Sequence, residues 1–207
     1  MLRRSRSVLA EVPGRRPGSR PGTLNREELT AFSALADALA LAGVVLATGP
    51  AGSAVALGLA AAATVRGART ALVECDLAEP VLAETLGVPA RPGLHEYLRG
   101  EVGPSEIVQP LVPAGPAAAG AREHLTVVVA GSAAAHPEGL LASERCRDAI
   151  AALRRAYAMV VLDGPSLAGE PRALEALAAT ADKLLVCGRR GELPKRPPLG
   201  GRFVLVA

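Results

Sequence analysis

The sequence has no tryptophan, two phenylalanines and two tyrosines, and only two of its 23 basic residues, Lys183 and Lys195, are lysines. So few aromatics exclude a core built on large rings. None is interleaved with the arginines of the first 20 residues. The base-stacking signature of a nucleic-acid site is therefore missing there, and weak attraction of that arm to anionic lipid or nucleic acid is the alternative to a solvated tail. Apolar residues still make up 50% of the chain, so the core falls to Ala, Leu and Val, which pack helices closely against a sheet. The three cysteines, Cys75, Cys146 and Cys187, are odd in number and far apart. They fit neither a disulfide framework nor a zinc ligand pattern, and a reducing cytoplasm is the expectation. A secretory signal is not expected, because no continuous apolar segment stands near the N-terminus. The apolar stretches are broken by Asp37, Gly43 and Gly49–Gly52, and none reaches the roughly 18–20 residues of a membrane span. Any membrane role is expected to come through a partner.

At 207 residues the chain is read as one domain, long enough for a well-buried core. The net charge is +3, with much of the excess in Arg3, Arg4, Arg6, Arg15, Arg16 and Arg20 against Glu11. Residues 1–23 read as a basic arm too poor in apolar surface to order itself. The domain proper is then 24–207, with a low-complexity Ala/Pro/Gly loop over 112–121 and a Pro/Gly-rich linker over 189–201.

Inside the domain, elements alternate. Asn25 and Glu28 have capping-box spacing, and a helix is expected through Leu41. Val44–Ala47 reads as a buried strand entering the glycine turn Gly49–Gly52, with an Ala-rich helix over Ser53–Arg66 stopped by Gly67. Thr70–Glu74 is the next strand, ending at Asp76. Strands follow at Leu125–Ala130, Met159–Leu162 (ending at Asp163), Leu184–Cys187 and Phe203–Val206. Helices are expected over Leu140–Tyr157 and Ala173–Ala181. This order predicts an α/β fold with a doubly wound, mostly parallel sheet. In such a sheet ligands sit beyond the carboxyl ends of the strands. Gly49–Ala54, Asp76 and Asp163 all fall there.

A glycine turn between a strand and a helix offers N–H groups and a helix dipole to a phosphate. A working loop, G-x-x-x-x-G-K-[ST], adds a lysine for the β- and γ-phosphates and a hydroxyl for Mg²⁺. Here the segment reads Gly49-Pro50-Ala51-Gly52-Ser53-Ala54-Val55. With Gly52 as the last loop glycine, Ser53 stands where the lysine belongs and Ala54 where the hydroxyl belongs. Pro50 removes one N–H.

Read in order, the segments resemble the P-loop ATPase domain of bacterial tyrosine kinases, the capsular and exopolysaccharide CpsD/CapB-like proteins of the MinD/ParA group. The resemblance rests on Glu74-Cys75-Asp76-Leu77-Ala78-Glu79-Pro80 against a Walker A′ strand, and on Pro92-Gly93-Leu94-His95-Glu96-Tyr97-Leu98-Arg99-Gly100. It continues through Leu125–Gly131, His136–Ser143 and Val160-Val161-Leu162-Asp163-Gly164-Pro165. It implies a P-loop NTPase-like domain, ATP or ADP with Mg²⁺ as ligand, Asp76 and Asp163 as catalytic carboxylates, and Asp163 on the metal. It also implies a membrane-embedded partner in polysaccharide chain-length control or export, with recruitment to the inner face of the membrane.

The departures cluster at function. Glu74 replaces the first Asp of Walker A′ and Ala78 its Arg. The ring-forming E-x-x-R-x-x-R is absent from Glu28–Ala36, and no tyrosine cluster exists beyond Tyr97 and Tyr157. The expectation is a degenerate, non-catalytic regulatory or scaffolding member. An active ATPase or kinase, or a ParA/MinD-like partitioning ATPase, is the alternative. A nicotinamide Rossmann domain ranks lower, since G-x-G-x-x-G is not met. A Ser53/His136/Asp163 hydrolase fails for want of a G-x-S-x-G elbow. The scattered His95, His124 and His136 do not form a metal pattern.

Overall fold

The computed structural model describes residues 8–14, 23–39, 43–113, 123–167, 169 and 171–207. The elements in chain order are β1 (Val8–Val12), α1 (Arg26–Ala38), β2 (Gly43–Thr48), α2 (Gly52–Val65), β3 (Thr70–Glu74), α3 (Leu82–Leu86), α4 (Leu94–Leu98) and β4 (Gln109–Leu111). There follow β5 (Leu125–Val128), α5 (Glu138–Leu141), α6 (Glu144–Ala156), β6 (Met159–Asp163), α7 (Pro171–Ala178), β7 (Lys183–Gly188) and β8 (Arg202–Val206). The strands form one sheet in the order β1-β8-β7-β2-β6-β3-β5-β4. Every neighbouring pair is parallel except β4 with β5. Among the described residues no helix is long and apolar enough to cross a membrane.

Four sequence expectations change. Within the arm over 1–23, Val8–Val12 is ordered as β1, running parallel to β8 with Val12 beside Val206. Its apolar side chains pack on the core, and Val12 is 1% exposed. Residues 1–7 and 15–22 of that arm and 114–121 of the low-complexity loop lie outside the described residues, as does Leu41, to which the first helix was expected to run; α1 ends at Ala38 with Leu39 as its C-cap. The long helix over Leu140–Tyr157 is two helices. The Ser143 hydroxyl accepts the Cys146 N–H at 3.2 Å and starts α6 afresh, the usual work of a serine N-cap. The strand foreseen to Ala130 leaves the ladder early: the Val129 and Ala130 carbonyls accept the N–H groups of Leu94 and His95 instead, both at 2.8 Å. The short edge strand β4 had no counterpart in the sequence reading.

α1 opens with a reciprocal capping box. Asn25 Oδ1 accepts the Glu28 N–H at 2.9 Å, and Glu28 Oε2 accepts the Asn25 N–H at 2.8 Å. α2 is apolar nearly all round because it is buried between the sheet and α1. Gly58 of α2 faces Phe32 of α1: a Cβ there would lie 2.4 Å from the Phe32 ring. Helix propensity alone would favour alanine by about 1 kcal/mol, but overpacking costs ~1–3 kcal/mol. Gly58→Ala is therefore expected to lower stability by ~1–2 kcal/mol in urea unfolding. A neutral or stabilising result would show that the α1–α2 contact yields.

β7 returns to β8 without an α-helix. Residues 189–201 make a turn closed by Glu192 N–H to Arg189 O at 2.9 Å and a 3₁₀ turn at Pro198–Gly200. The prolines account for that.

Candidate functional site

Parallel register brings three loops together at the carboxyl edge. Asp163, which ends β6, is level with Ala47 of β2 on one side and with Glu74 of β3 on the other. The backbone locks them: Gly164 N–H donates to Ala47 O at 2.8 Å and Cys75 N–H to Asp163 O at 2.7 Å. The Thr48 hydroxyl donates to Pro165 O at 2.6 Å. Gly49–Ser53, Asp76 and Asp163 therefore share one site, as the strand order requires.

Ala54 and Val55 do not share it. They line a small cavity with Val12, Leu24, Glu28 and Phe32, on the α1 side. The hydroxyl facing Asp163 is that of Ser53, whose Oγ donates to Asp163 Oδ1 at 3.0 Å. In a P-loop the Ser/Thr hydroxyl and the Walker B aspartate hold the metal together. This corrects the sequence register by one residue: Ser53, not Ala54, occupies the hydroxyl position, and Gly52 occupies the lysine position.

The loop itself is a closed turn. Gly49 adopts φ +100°, and a Cβ there would stand 2.6 Å from Cys187 O, so only glycine lets β2 and β7 approach so closely. Pro50 has no N–H. The Ala51 N–H donates to Cys187 O at 3.1 Å, and the Gly52 N–H to Gly49 O at 2.8 Å. A phosphate cradle needs successive N–H groups free and convergent, and here those of Ala51 and Gly52 are taken up inside the protein. Neither lysine compensates: Lys183 opens β7 at the opposite edge of the sheet, and Lys195 lies exposed beyond β7.

Asp163 is 1% exposed, and its Oδ2 has no hydrogen-bond partner among the described residues. Burial pushes its carboxyl up to about 7, with further upward contributions from Glu74 and Asp76, against the Ser53 hydrogen bond. Burial also raises the half-buried Asp76, opposed by N–H donors that include Glu79 at 3.0 Å. A free carboxylate oxygen beside a hydroxyl is a fitting place for Mg²⁺, which needs only one or two carboxylates when waters and phosphates complete its shell. Among the described residues no cluster of three or more His, Cys, Asp or Glu side chains could hold a metal on its own. The metal side of the site thus fits Mg²⁺, whereas the phosphate side lacks the loop lysine and has its Ala51 and Gly52 N–H groups bonded internally.

Two further carboxylates hold the neighbouring loops. Glu74 is fully buried and accepts the N–H groups of Val81 and Leu82 at 2.6 Å and of Ala130 at 2.8 Å. Glu96 accepts Gly93 N–H at 2.8 Å and both the N–H and the hydroxyl of Ser132. Burial alone would raise Glu96, but the Ser132 and Gly93 donors hold it down at about 2. Glu74 entered the sequence reading only as a departure from a motif, and Glu96 only as a member of one. Two acidic residues inside apolar or glycine-rich segments were the available signal.

The strand, glycine turn and helix at β2–α2, with an aspartate ending the adjacent strand of a mostly parallel sheet, define a P-loop NTPase fold of the MinD/ParA kind. No protein-family model and no curated protein matches the chain. Solved structures do. The kinase domain of VpsO superposes with TM-score 0.69 at 24% identity, covering 86% of this chain and 93% of that one. The kinase domain of the Escherichia coli tyrosine kinase Etk gives TM-score 0.70 at 19% identity, covering 87% and 77%. The septum site-determining protein MinD from Pyrococcus horikoshii OT3, complexed with Mg-ADP, gives 0.53 at 18%, covering 71% and 58%. The fold is thus one shared by bacterial tyrosine kinase domains and MinD-like ATPases.

Proposed function

We propose that this chain is a degenerate tyrosine-kinase-like P-loop domain that does not transfer phosphoryl groups and serves as a regulatory or scaffolding partner. The observation that carries this reading is the closed loop, with Ala51 and Gly52 N–H groups bonded internally and no lysine within it. Phosphoryl transfer depends on positioning and on charge stabilisation around the γ-phosphate, and the missing lysine and the two engaged N–H groups weaken both. The likeness to kinase domains such as VpsO and Etk supports a place beside a membrane-embedded protein of polysaccharide chain-length control or export, at the inner face of the membrane. The retained Ser53–Asp163 pair favours one second reading, binding of Mg-ADP without turnover.

Titration calorimetry with ATP and ADP, with and without Mg²⁺, separates these. The native protein is expected to show no micromolar binding and no turnover. Gly52→Lys restores the Lys-Ser order at a position where a Cβ meets nothing closer than 3.7 Å. A charge-assisted bond of ~1.5–3 kcal/mol should raise Mg-ADP affinity by at least about tenfold. Micromolar, Mg²⁺-dependent binding by the native protein would support the second reading, and turnover would overturn both.

A further inference from the structure

A cavity of about 590 Å³ lies on the face of the sheet that packs against α4 and α6. Val73 of β3 and Val128 of β5 line it from the sheet, and Ala149, Ala152 and Ala156 line it from α6. Leu94 and Tyr97 of α4 and Ile107 add to the apolar lining. Val73, Leu94, Ile107 and Val128 are buried, whereas Ala152 and Ala156 are exposed. The cavity therefore has an apolar base and opens to solvent along α6. Its volume and lining are those of a small-molecule pocket. The two helices are tied together beside it: the Arg145 guanidinium of α6 lies 4.4 Å from the centre of the Tyr97 ring, and its Nε donates to Tyr97 O at 2.7 Å. One wall is thus fixed relative to the other.

Two charged side chains, Asp148 and Arg155, line the same cavity. Among the described residues neither has an ion-pair or hydrogen-bonding partner. The other arginines of α6 are engaged: Arg145 on Tyr97, Arg147 with Ala142 O at 2.6 Å and Arg154 with Asp182 at 2.7 Å. Asp148 and Arg155 stand two helical turns apart on α6, roughly 10 Å at 1.5 Å per residue. Ala149 and Ala152 lie between them on the same cavity wall. An apolar wall with a free anion at one end and a free cation at the other complements a molecule of the reverse charge order.

We propose that this cavity binds a zwitterionic amphiphile, with an aliphatic body against Ala149, Ala152 and Val128, an ammonium at Asp148 and a carboxylate at Arg155. The planar guanidinium suits a carboxylate, which it can hold by two parallel hydrogen bonds. An extended chain advances about 1.2 Å per bond, so about eight bonds between the ligand's two charges cover the span. No residue of the P-loop lines the cavity, nor does Asp163. The site can fail while the non-catalytic reading stands, and the reverse.

The test is calorimetric titration of the full chain with ω-aminobutanoate, ω-aminohexanoate, ω-aminooctanoate and ω-aminododecanoate, with octanoate and octylammonium as ligands of one charge. Affinity is expected to rise about fourfold for each methylene buried as far as ω-aminooctanoate, and no further. Octanoate and octylammonium should each bind about threefold more weakly than ω-aminooctanoate, the effect of one exposed charge pair. Arg155→Gln should erase the advantage over octylammonium, and Asp148→Asn the advantage over octanoate. Both positions are exposed, so these variants fold. Ala149→Leu/Ala152→Leu fills the cavity and should abolish binding of the whole series without lowering the melting temperature, since leucine is nearly as good a helix former as alanine. The absence of saturable binding, or affinity that keeps rising to ω-aminododecanoate, overturns the proposal. So do charge variants that leave the ranking unchanged, or a folded double-leucine variant that binds as before.

Discussion

Glu74→Ala should be the most damaging single substitution at the carboxyl edge, lowering stability by ~4 kcal/mol or more in urea unfolding. The reason is local. Glu74 lies in the middle of the sheet with no solvent exposure, and one carboxylate satisfies three backbone N–H groups, from Val81, Leu82 and Ala130. Each buried N–H left without an acceptor costs about 1–3 kcal/mol, and the void left by the side chain adds to that. Two of these donors stand at the start of α3 and the third, Ala130, two residues beyond β5, so the loss loosens both loops beside Asp163. Glu74→Gln keeps one acceptor oxygen and should recover part of the loss. An alanine variant within 1 kcal/mol of the native protein, a margin typical of surface changes, would mean that water replaces the carboxylate and that Glu74 does not brace the site.

Asp163→Asn should reverse its effect on stability with pH. The carboxyl lies at about 7 in the fold against an ordinary value of 3.8. Between those values the folded protein holds a proton that the unfolded chain has released. The contribution of this group is therefore fully present below pH 4 and is lost as pH rises through 7. With about 1.4 kcal/mol for each pH unit, the native protein should lose on the order of 4 kcal/mol relative to the asparagine variant between pH 4 and pH 8. Glu96, held at about 2, works in the opposite sense at the acid end. It is common to both proteins and cancels in the difference. Chemical denaturation of the pair across pH, in chelator, measures this directly. A difference independent of pH would place Asp163 in water or beside an unrecognised cation.

Much of the frame was legible in the residues. Val44–Ala47, Thr70–Glu74 and Met159–Leu162 are runs of β-branched and aliphatic residues with turn residues after them, and they form the middle of the sheet. The convergence of Gly49–Gly52, Asp76 and Asp163 follows from parallel strand order alone. The hidden parts lacked a periodic signal. β1 is five residues inside an arginine-rich stretch, where composition argues against order and only pairing with β8 supplies it. β4 is a three-residue edge containing Pro110, too short for a pattern. The register of the P-loop was off by one because its consensus counts residues, whereas the Ser53–Asp163 bond depends on where α2 starts. The internal closure of the loop was not readable at all, since Cys187, which accepts the Ala51 N–H, stands on a strand far along the chain.

The pairing of Val8 with Phe203 has a bearing on how the chain assembles. Among the described residues β1 pairs with no strand but β8, so β1 has no partner until β8 has been laid down on β7. The other parallel pairs can form as their own segments appear, and the closing entropy of this longest loop rises only slowly with length. What delays β1 is the order of events. It should dock after the rest of the sheet is complete and be the first strand to leave when the sheet opens, so that its amides exchange with solvent ahead of those in β2 and β6. The N-terminal strand thus acts as a latch on a finished sheet, and the state without it is a nearly native molecule with β8 as an open edge.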